Sequence, residues 1–297
     1  MSIKTLLKRL QPARVKDLRI KLFSLKLAYD NKKQIKKVRR NQKEIVRKLK
    51  KKNKLKIAFF LLNTDTWKLD SLYWSFHNHP RFEPIVIICP FIGKGEDFLK
   101  TELKKGIALC SSKKYNHFNA FNEIKAKDVK SNINPDIVFF TNPNRLTFKS
   151  LLIDNFLDRL TCFVPYSFRI DTLFDYEFNN RLVNLTWLNF YESNIHKKLA
   201  QKYSDNKGEN VIVTGYPFLD GYNNRINENG VWKNCGKLKK KVIWAPHWTI
   251  KGFNSGLDWS CFLDYHQFIL DLAIEFKNEI QFAIKPHPFL KEVLSEY

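Results

Sequence analysis

Lys56-Ile57-Ala58-Phe59-Phe60-Leu61-Leu62, running into the polar turn Asn63-Thr64-Asp65-Thr66, is the stretch that decides the fold. Six apolar residues in a row show no alternation, and they fall far short of the roughly 18–20 that a membrane span requires. The run therefore reads as a strand buried on both faces, as in a parallel sheet. Downstream, Trp67–Asn78 reads as a helix and Phe82–Cys89 as a second strand closed by Pro90, which completes one βαβ unit. The alternation continues with a helix over Phe98–Lys105, a short strand at Ile107–Cys110, a helix over Ala120–Lys130 and a buried strand at Pro135–Thr141. A helix at Phe148–Leu157, a strand at Arg159–Val164, a helix near Asn184–Tyr203 and a strand at Asn210–Thr214 follow. Residues 56–222 are thus expected to form a doubly wound, Rossmann-like α/β domain.

Residues 223–240 are polar and read as a linker. A second βαβ unit occupies 241–297, with strand Lys241–Ala245, a loop through Gly256, helix Cys261–Phe276 and strand Ile280–Lys285. Two strands cannot cover both faces of a parallel sheet, and domains of this kind run to roughly 100–150 residues. The chain is expected to stop inside this second domain.

Charge divides the chain before the first strand. Of 52 Lys and Arg, 22 lie in residues 1–56 against 3 acidic residues, so most of the net +23 sits in an N-terminal arm, residues 1–55. Leu, Ile and Phe alternate with Lys and Arg over residues 1–30, where Pro12 is expected to end or kink a first short helix. Ile35, Val38, Gln42, Ile45 and Leu49 then form a 3,4,3,4 stripe. A coiled coil would set like charges against each other, so an anionic membrane surface suits this arm better. A nucleic-acid partner is not expected, because the body is near neutral and no binding motif accompanies the arm. With 44% hydrophobic residues the remainder can bury a core, which excludes global disorder. Five cysteines, Cys89, Cys110, Cys162, Cys235 and Cys261, contain no CxxC pair, which argues for a reducing compartment and against a zinc or disulfide framework. No signal peptide is recognisable at the start, and no cofactor is implied.

In open α/β sheets ligands bind beyond the carboxyl ends of the strands. Four such segments stand out: Val164-Pro-Tyr-Ser-Phe168, Thr214-Gly-Tyr-Pro-Phe-Leu-Asp220, Trp244-Ala-Pro-His-Trp-Thr249 and Lys285-Pro-His-Pro288. The last two set His247 and His287 just after strands of successive βα units, at one sheet edge, where with Lys285 they suit a diphosphate. No Gly-rich dinucleotide loop or Walker loop is present. His77, His79, His117, His196 and His266 read as surface or helix-face residues.

The last three of these segments, in this order, resemble the CDP-glycerol glycerophosphotransferase family, as do Trp67-Lys-Leu-Asp-Ser-Leu-Tyr73 and His79-Pro-Arg-Phe-Glu-Pro-Ile-Val86. The resemblance covers about Lys56–Tyr297. It implies a GT-B architecture with an acceptor-side domain and a nucleotide-donor domain. The implied activity transfers glycerol phosphate from CDP-glycerol to a hydroxyl of a glycan or lipid-linked acceptor, in capsule or teichoic-acid synthesis at the cytoplasmic face of a bacterial membrane. His287 and Lys285 would then contact the donor phosphates, with His247 beside them. Trp248, Thr249, Tyr216 and Asp220 would bind substrate, as would Asp65. The family's acceptor-side His-Gly pair has no counterpart in Val164–Phe168, so Tyr166, Asp65 and Asp171 stand as the choices of base. A glycosyltransferase using a nucleotide sugar, or an inactive membrane-tethered fragment, are the other readings.

Overall fold

The computed structural model describes residues 12–221, 232, 239–250, 252 and 258–295, with side chains from Tyr29 onward in the first helix. The chain divides into two compact units, Met1–Asn224 and Arg225–Tyr297.

The first unit opens with α1 (Pro12–Lys50) and carries β1 (Leu55–Leu61), α2 (Asp70–His77), β2 (Phe82–Ile88), α3 (Glu96–Ser112), β3 (His117–Asn119), α4 (Glu123–Asp128) and β4 (Ile137–Phe140). It continues through β5 (Leu160–Phe163), α5 (Phe174–Phe178), α6 (Arg181–Leu185), β6 (Leu188–Tyr191), α7 (Asn194–Tyr203) and β7 (Val211–Val213). The seven strands form one parallel sheet in the order β3-β2-β1-β4-β5-β6-β7. β1 lies inside the sheet, pairing Leu55 with Phe82 on one side and Ile57 with Ile137 on the other. Its alternate residues enter two separate cores. Ala58, Phe60 and Leu62 join the cluster with Phe140 and Phe156, whereas Ile57, Phe59 and Leu61 pack with Tyr73 and Phe139. Burial on both faces is what the uninterrupted apolar run required.

The second unit holds β8 (Lys240–Trp244), α8 (Phe262–Glu275), β9 (Ile280–Ile284) and α9 (Leu290–Ser295), with β8 and β9 parallel from Lys240↔Ile280 to Trp244↔Ile284. The expected linker lies outside the described residues apart from Trp232, Lys239 and Lys240, as does most of the loop through Gly256.

Four expectations need correction. Ile107–Cys110 is not a strand but the end of α3, because Leu103, Gly106 and Cys110 follow the helical spacing and all three are buried. Gly106 lets that helix approach β2 closely, since a Cβ there would stand 2.7 Å from Ile88 Cγ2. The single helix expected near 184–203 is α6, β6 and α7. Its middle became a strand because Asn184, Asn189, Asn206 and Asn210 form a buried amide network, in which three of them donate to the carbonyl of Val183 at 2.8 to 3.2 Å. The helix expected at Phe148–Leu157 is two short 3-10 turns, Lys149–Leu151 and Ile153–Phe156.

The fourth correction concerns the arm. The first short helix expected before Pro12 lies outside the described residues, and α1 is described from Pro12, where a proline fits the first turn of a helix, whose N–H needs no partner. The stripe offered to a membrane or a coiled coil is occupied by the protein itself. Ile35 and Val38 are buried in the core that holds Phe178 and Leu182. Gln42, the polar position in that stripe, is 3% exposed and donates to the Leu185 carbonyl at 2.9 Å. Arg39 donates to the carbonyls of Thr186 and Trp187 at 3.3 and 3.1 Å. These two side chains serve carbonyls at and just after the end of α6, of which that of Thr186 also accepts from Asn210 Nδ2 at 2.9 Å. Arg81 ties the other end, donating to the carbonyl of Leu49 at 3.0 Å.

Removing residues 1–54 should cost at least several kcal/mol, since it uncovers two buried aliphatic side chains and removes the donors that Gln42 and Arg39 supply. Thermal melts of the truncated and full chains check this, and equal stability would contradict an integral α1.

Candidate functional site

In the second unit, in-register pairing of β8 with β9 carries their carboxyl ends side by side. Lys285 N donates to the Trp244 carbonyl at 2.8 Å and His287 N to the Pro246 carbonyl at 3.0 Å. The rings of His247 and His287 consequently lie 4.9 Å apart, centre to centre. Trp259 lies 5.6 Å from His247, and Trp248 and Phe289 lie 6.1 and 5.3 Å from His287.

Both histidines are held by the same device. Thr249 N donates to His247 Nδ1 at 3.3 Å, and Phe289 N donates to His287 Nδ1 at 3.2 Å. A nitrogen that accepts a backbone N–H carries no proton of its own, which leaves Nε2 of each ring as the protonated nitrogen. The Thr249 hydroxyl adds a bond to His247 Nδ1 at 2.8 Å and accepts from Trp259 N at 3.3 Å. Thr249 is fully buried and its hydroxyl orients His247. Trp248 and His287 are half-buried and Lys285 is exposed. Burial lowers the pKa of His247, which keeps the ring neutral.

In the first unit the expected residues fall into two groups on the carboxyl edge. Tyr166 follows β5 and donates its N–H to the Thr141 carbonyl at 3.1 Å, while its own carbonyl accepts from the Tyr216 hydroxyl at 3.1 Å. Its phenol is a poor base: burial first, then the nearby Glu177, raise its pKa further above an already high value. Asp65 and Asp220 make the other group. Asp65 is exposed in the turn after β1, and its carbonyl accepts from Lys68, whose ammonium lies 5.0 Å from the Phe218 ring. Asp220 accepts from Ser71 at 2.6 Å. Asp171 caps its own turn by accepting from Leu173 N at 2.7 Å.

Between these groups lies a cluster that the sequence reading missed. Arg169 and Glu192, both 8% exposed, form a buried pair with Nη2 to Oε2 at 2.6 Å and Nε to Oε1 at 3.2 Å. The guanidinium sits 3.9 Å from the Tyr191 ring centre and 4.6 Å from that of Phe178. His196, expected at a surface or on a helix face, lies on the buried face of α7, is 5% exposed and hydrogen-bonds the Arg169 carbonyl through Nε2 at 2.9 Å. Removing one partner of such a buried pair costs about 3–5 kcal/mol, so this cluster fixes the loop from Val164 to Asp171 firmly. Glu177 lies beside it, with its pKa raised by burial and then by Asp171, against a lowering effect of Arg169. Glu192 is the first residue past the carboxyl end of β6, so reading β6 as a strand would have found it.

A cavity of about 150 Å³ opens where β1 and β4 meet, the point at which strand order reverses. Phe60, Leu62, Phe140, Leu152, Ile153 and Leu182 are among its apolar walls. Among the described residues no three His, Cys, Asp or Glu side chains converge as a metal site would require.

No protein-family model and no curated protein matches the chain. Solved structures do. S. aureus MnaA in its co-structure with UDP matches with a TM-score of 0.54 at 16% identity, covering 82% of this chain and 65% of that one. A UDP-N-acetylglucosamine 2-epimerase matches with 0.50 at 15% identity, covering 82% and 66%. The same enzyme from Rickettsia bellii matches with 0.50 at 13% identity, covering 82% and 65%. The chain has a GT-B-like fold. It spans about two thirds of the length of these structures.

Because burial disfavours the imidazolium of His247, its titration midpoint is expected below 6.5. The sign follows from linkage: the second unit keeps the full contribution of this group above pH 6.5 and loses it as pH falls through the lower folded midpoint. Proton NMR of the His247 ring against pH measures this directly, and a midpoint above 6.5 would refute the assignment.

Proposed function

We propose that the chain is a GT-B enzyme acting on a nucleotide-activated donor, in the first instance a glycosyltransferase using a nucleotide sugar. The observation that carries this reading is the pair His247 and His287, adjacent at the carboxyl edge of β8 and β9 and both presenting Nε2 as the protonated nitrogen. Two such donors with the Lys285 ammonium suit a diphosphate, and the rings of Trp248 and Phe289 offer apolar surface beside it. Supporting the choice of donor class, the fold is shared with a UDP complex and with enzymes named for a UDP-sugar.

In this reading an acceptor hydroxyl attacks the anomeric carbon, the bond from that carbon to the diphosphate oxygen breaks, and the nucleoside diphosphate leaves. His247, His287 and Lys285 stabilise the charge that develops on the departing diphosphate. The hydroxyl proton passes to a general base, a role for which the Tyr166 phenol is poorly suited, because burial raises its pKa further above an already high value.

CDP-glycerol is the second donor, favoured by the order of the segments ending in Lys285-Pro-His-Pro288. Attack would then fall on the phosphorus that bears glycerol, and CMP would leave. The same three side chains would face the same diphosphate, so only the donor separates the two readings. Calorimetric titration with UDP, CDP and CDP-glycerol, each also run on His287→Ala, is expected to show binding of a nucleoside diphosphate that weakens about tenfold or more in the variant, the worth of a hydrogen bond to a charged group. Tighter binding of UDP than of CDP and CDP-glycerol supports the nucleotide sugar, the reverse supports glycerol phosphate transfer, and no binding by the full chain rejects both.

α1 bears on where the enzyme works. With Ile35, Val38 and Gln42 facing the core, Lys33, Lys36, Lys37, Arg40, Lys43 and Arg47 are exposed along its outer side. We place this side on an anionic membrane surface, at about 1 kcal/mol per basic residue. Among the described residues no helix is long and apolar enough to cross a bilayer. Replacing Lys36, Lys37 and Arg40 by Glu should reduce sedimentation with anionic vesicles at least tenfold without lowering the melting temperature. Unchanged sedimentation would remove the membrane from the proposal.

A further inference from the structure

The cavity at the meeting of β1 and β4 has no part in the donor chemistry above. We infer that it is a binding site for a small amphiphilic anion, an apolar body about the size of a benzene ring carrying a phosphate or carboxylate. Two observations carry the inference.

The first is the combination of volume and wall chemistry. A cavity of about 150 Å³ with Phe60, Leu62, Phe140, Leu152 and Ile153 on its apolar side matches in size the cavities that take up benzene-sized groups. Its floor is set by the sheet, since Phe60 and Leu62 are the residues of β1 that face this core and Phe140 closes β4. A floor built this way is rigid and formed in advance of binding.

The second is the charge at the rim. Arg145 and Arg181 both line the cavity, and one carboxylate serves the two. Asp154 pairs with Arg181, whose Nε donates at 2.8 Å, and stands 3.8 Å from Arg145 Nη1, a distance at which no hydrogen bond forms. Two guanidiniums against one carboxylate leave the rim with a net positive charge. The Arg145 side chain is 63% exposed, so it can turn toward a ligand at little cost. The other arginine is held in place by Gln34 of α1, which accepts from its Nη1 at 3.0 Å.

Asn142 and Asn144 complete the polar side, where Asn142 Oδ1 accepts from Asn144 N at 2.8 Å and Asn144 accepts from Tyr176. An apolar floor with a cationic rim selects against neutral hydrocarbons and against cations.

The test is direct binding to the full chain, with no donor present, so its outcome is independent of the nucleotide reading. Hexyl phosphate is titrated calorimetrically against hexanol and hexylammonium. Hexyl phosphate should bind at least tenfold more tightly than hexanol, the worth of a charge-assisted hydrogen bond, and hexylammonium should not bind. Arg145→Glu, an exposed change that leaves the core untouched, should abolish the preference for phosphate over hexanol. Leu152→Phe should weaken both ligands about tenfold or more by filling the floor, with its melting temperature measured alongside. Competition distinguishes the source of the anion: displacement of hexyl phosphate by vesicles containing phosphatidic acid points to a lipid, and displacement by soluble phosphates alone points to a free metabolite. Equal affinity for the three hexyl compounds, or a phosphate preference that survives Arg145→Glu, would overturn the inference.

Discussion

The central position of β1 constrains everything else in the first unit. A strand with apolar residues on both faces must have a layer of structure above and below it, and the sheet order β3-β2-β1-β4-β5-β6-β7 supplies both. Because the chain first builds outward to β3 and then returns to the other side of β1, the connections diverge where β1 meets β4. The space left at their carboxyl ends is a consequence of topology, and it is where the cavity lies. The same parallel arrangement places the ends of β5, β6 and β7 on one edge, which is why Tyr166, Glu192 and Tyr216 are neighbours despite their separation in the chain.

α1 shows how a single polar residue can decide between two readings of an amphipathic helix. A stripe of Ile, Val and Leu with one Gln suits a membrane interface poorly at the glutamine and a protein interior poorly as well, unless its amide finds partners. Here it does, at the carbonyl of Leu185, with Arg39 serving the next two carbonyls. Anchoring α1 in this way turns its basic residues outward as a rigid face. The charge excess of the arm and the burial of its stripe are therefore compatible properties of one helix, on opposite sides.

Legibility followed from how strongly each segment's sequence constrained it. The runs at β1, β2, β4 and β5 were readable because only a strand buried on both faces accommodates them. β6 was not, since Leu188-Asn-Phe-Tyr191 has four residues with a buried Asn189, whose place depends on the amide network with Asn206 and Asn210 some twenty residues away. Ile107–Cys110 misled for a related reason: four apolar or small residues fit either period, and the decision came from Gly106 packing on Ile88. The histidine pair was legible because strand ends are places where sequence position and spatial position agree. Arg169 with Glu192 was illegible because that rule needs the strand first.

The two histidines share more than a location. In each, Nδ1 is committed to the N–H two residues on, so a proton added to the ring would have to displace a backbone hydrogen bond. For His247 burial adds to that cost and the ring stays neutral. In the proposed function a bound dianion would act in the opposite direction on His247, since it favours the charged ring, and each pKa unit regained corresponds to about 1.4 kcal/mol. Anion binding and proton uptake by His247 would then be coupled, and by reciprocity the anion would bind more tightly as pH falls.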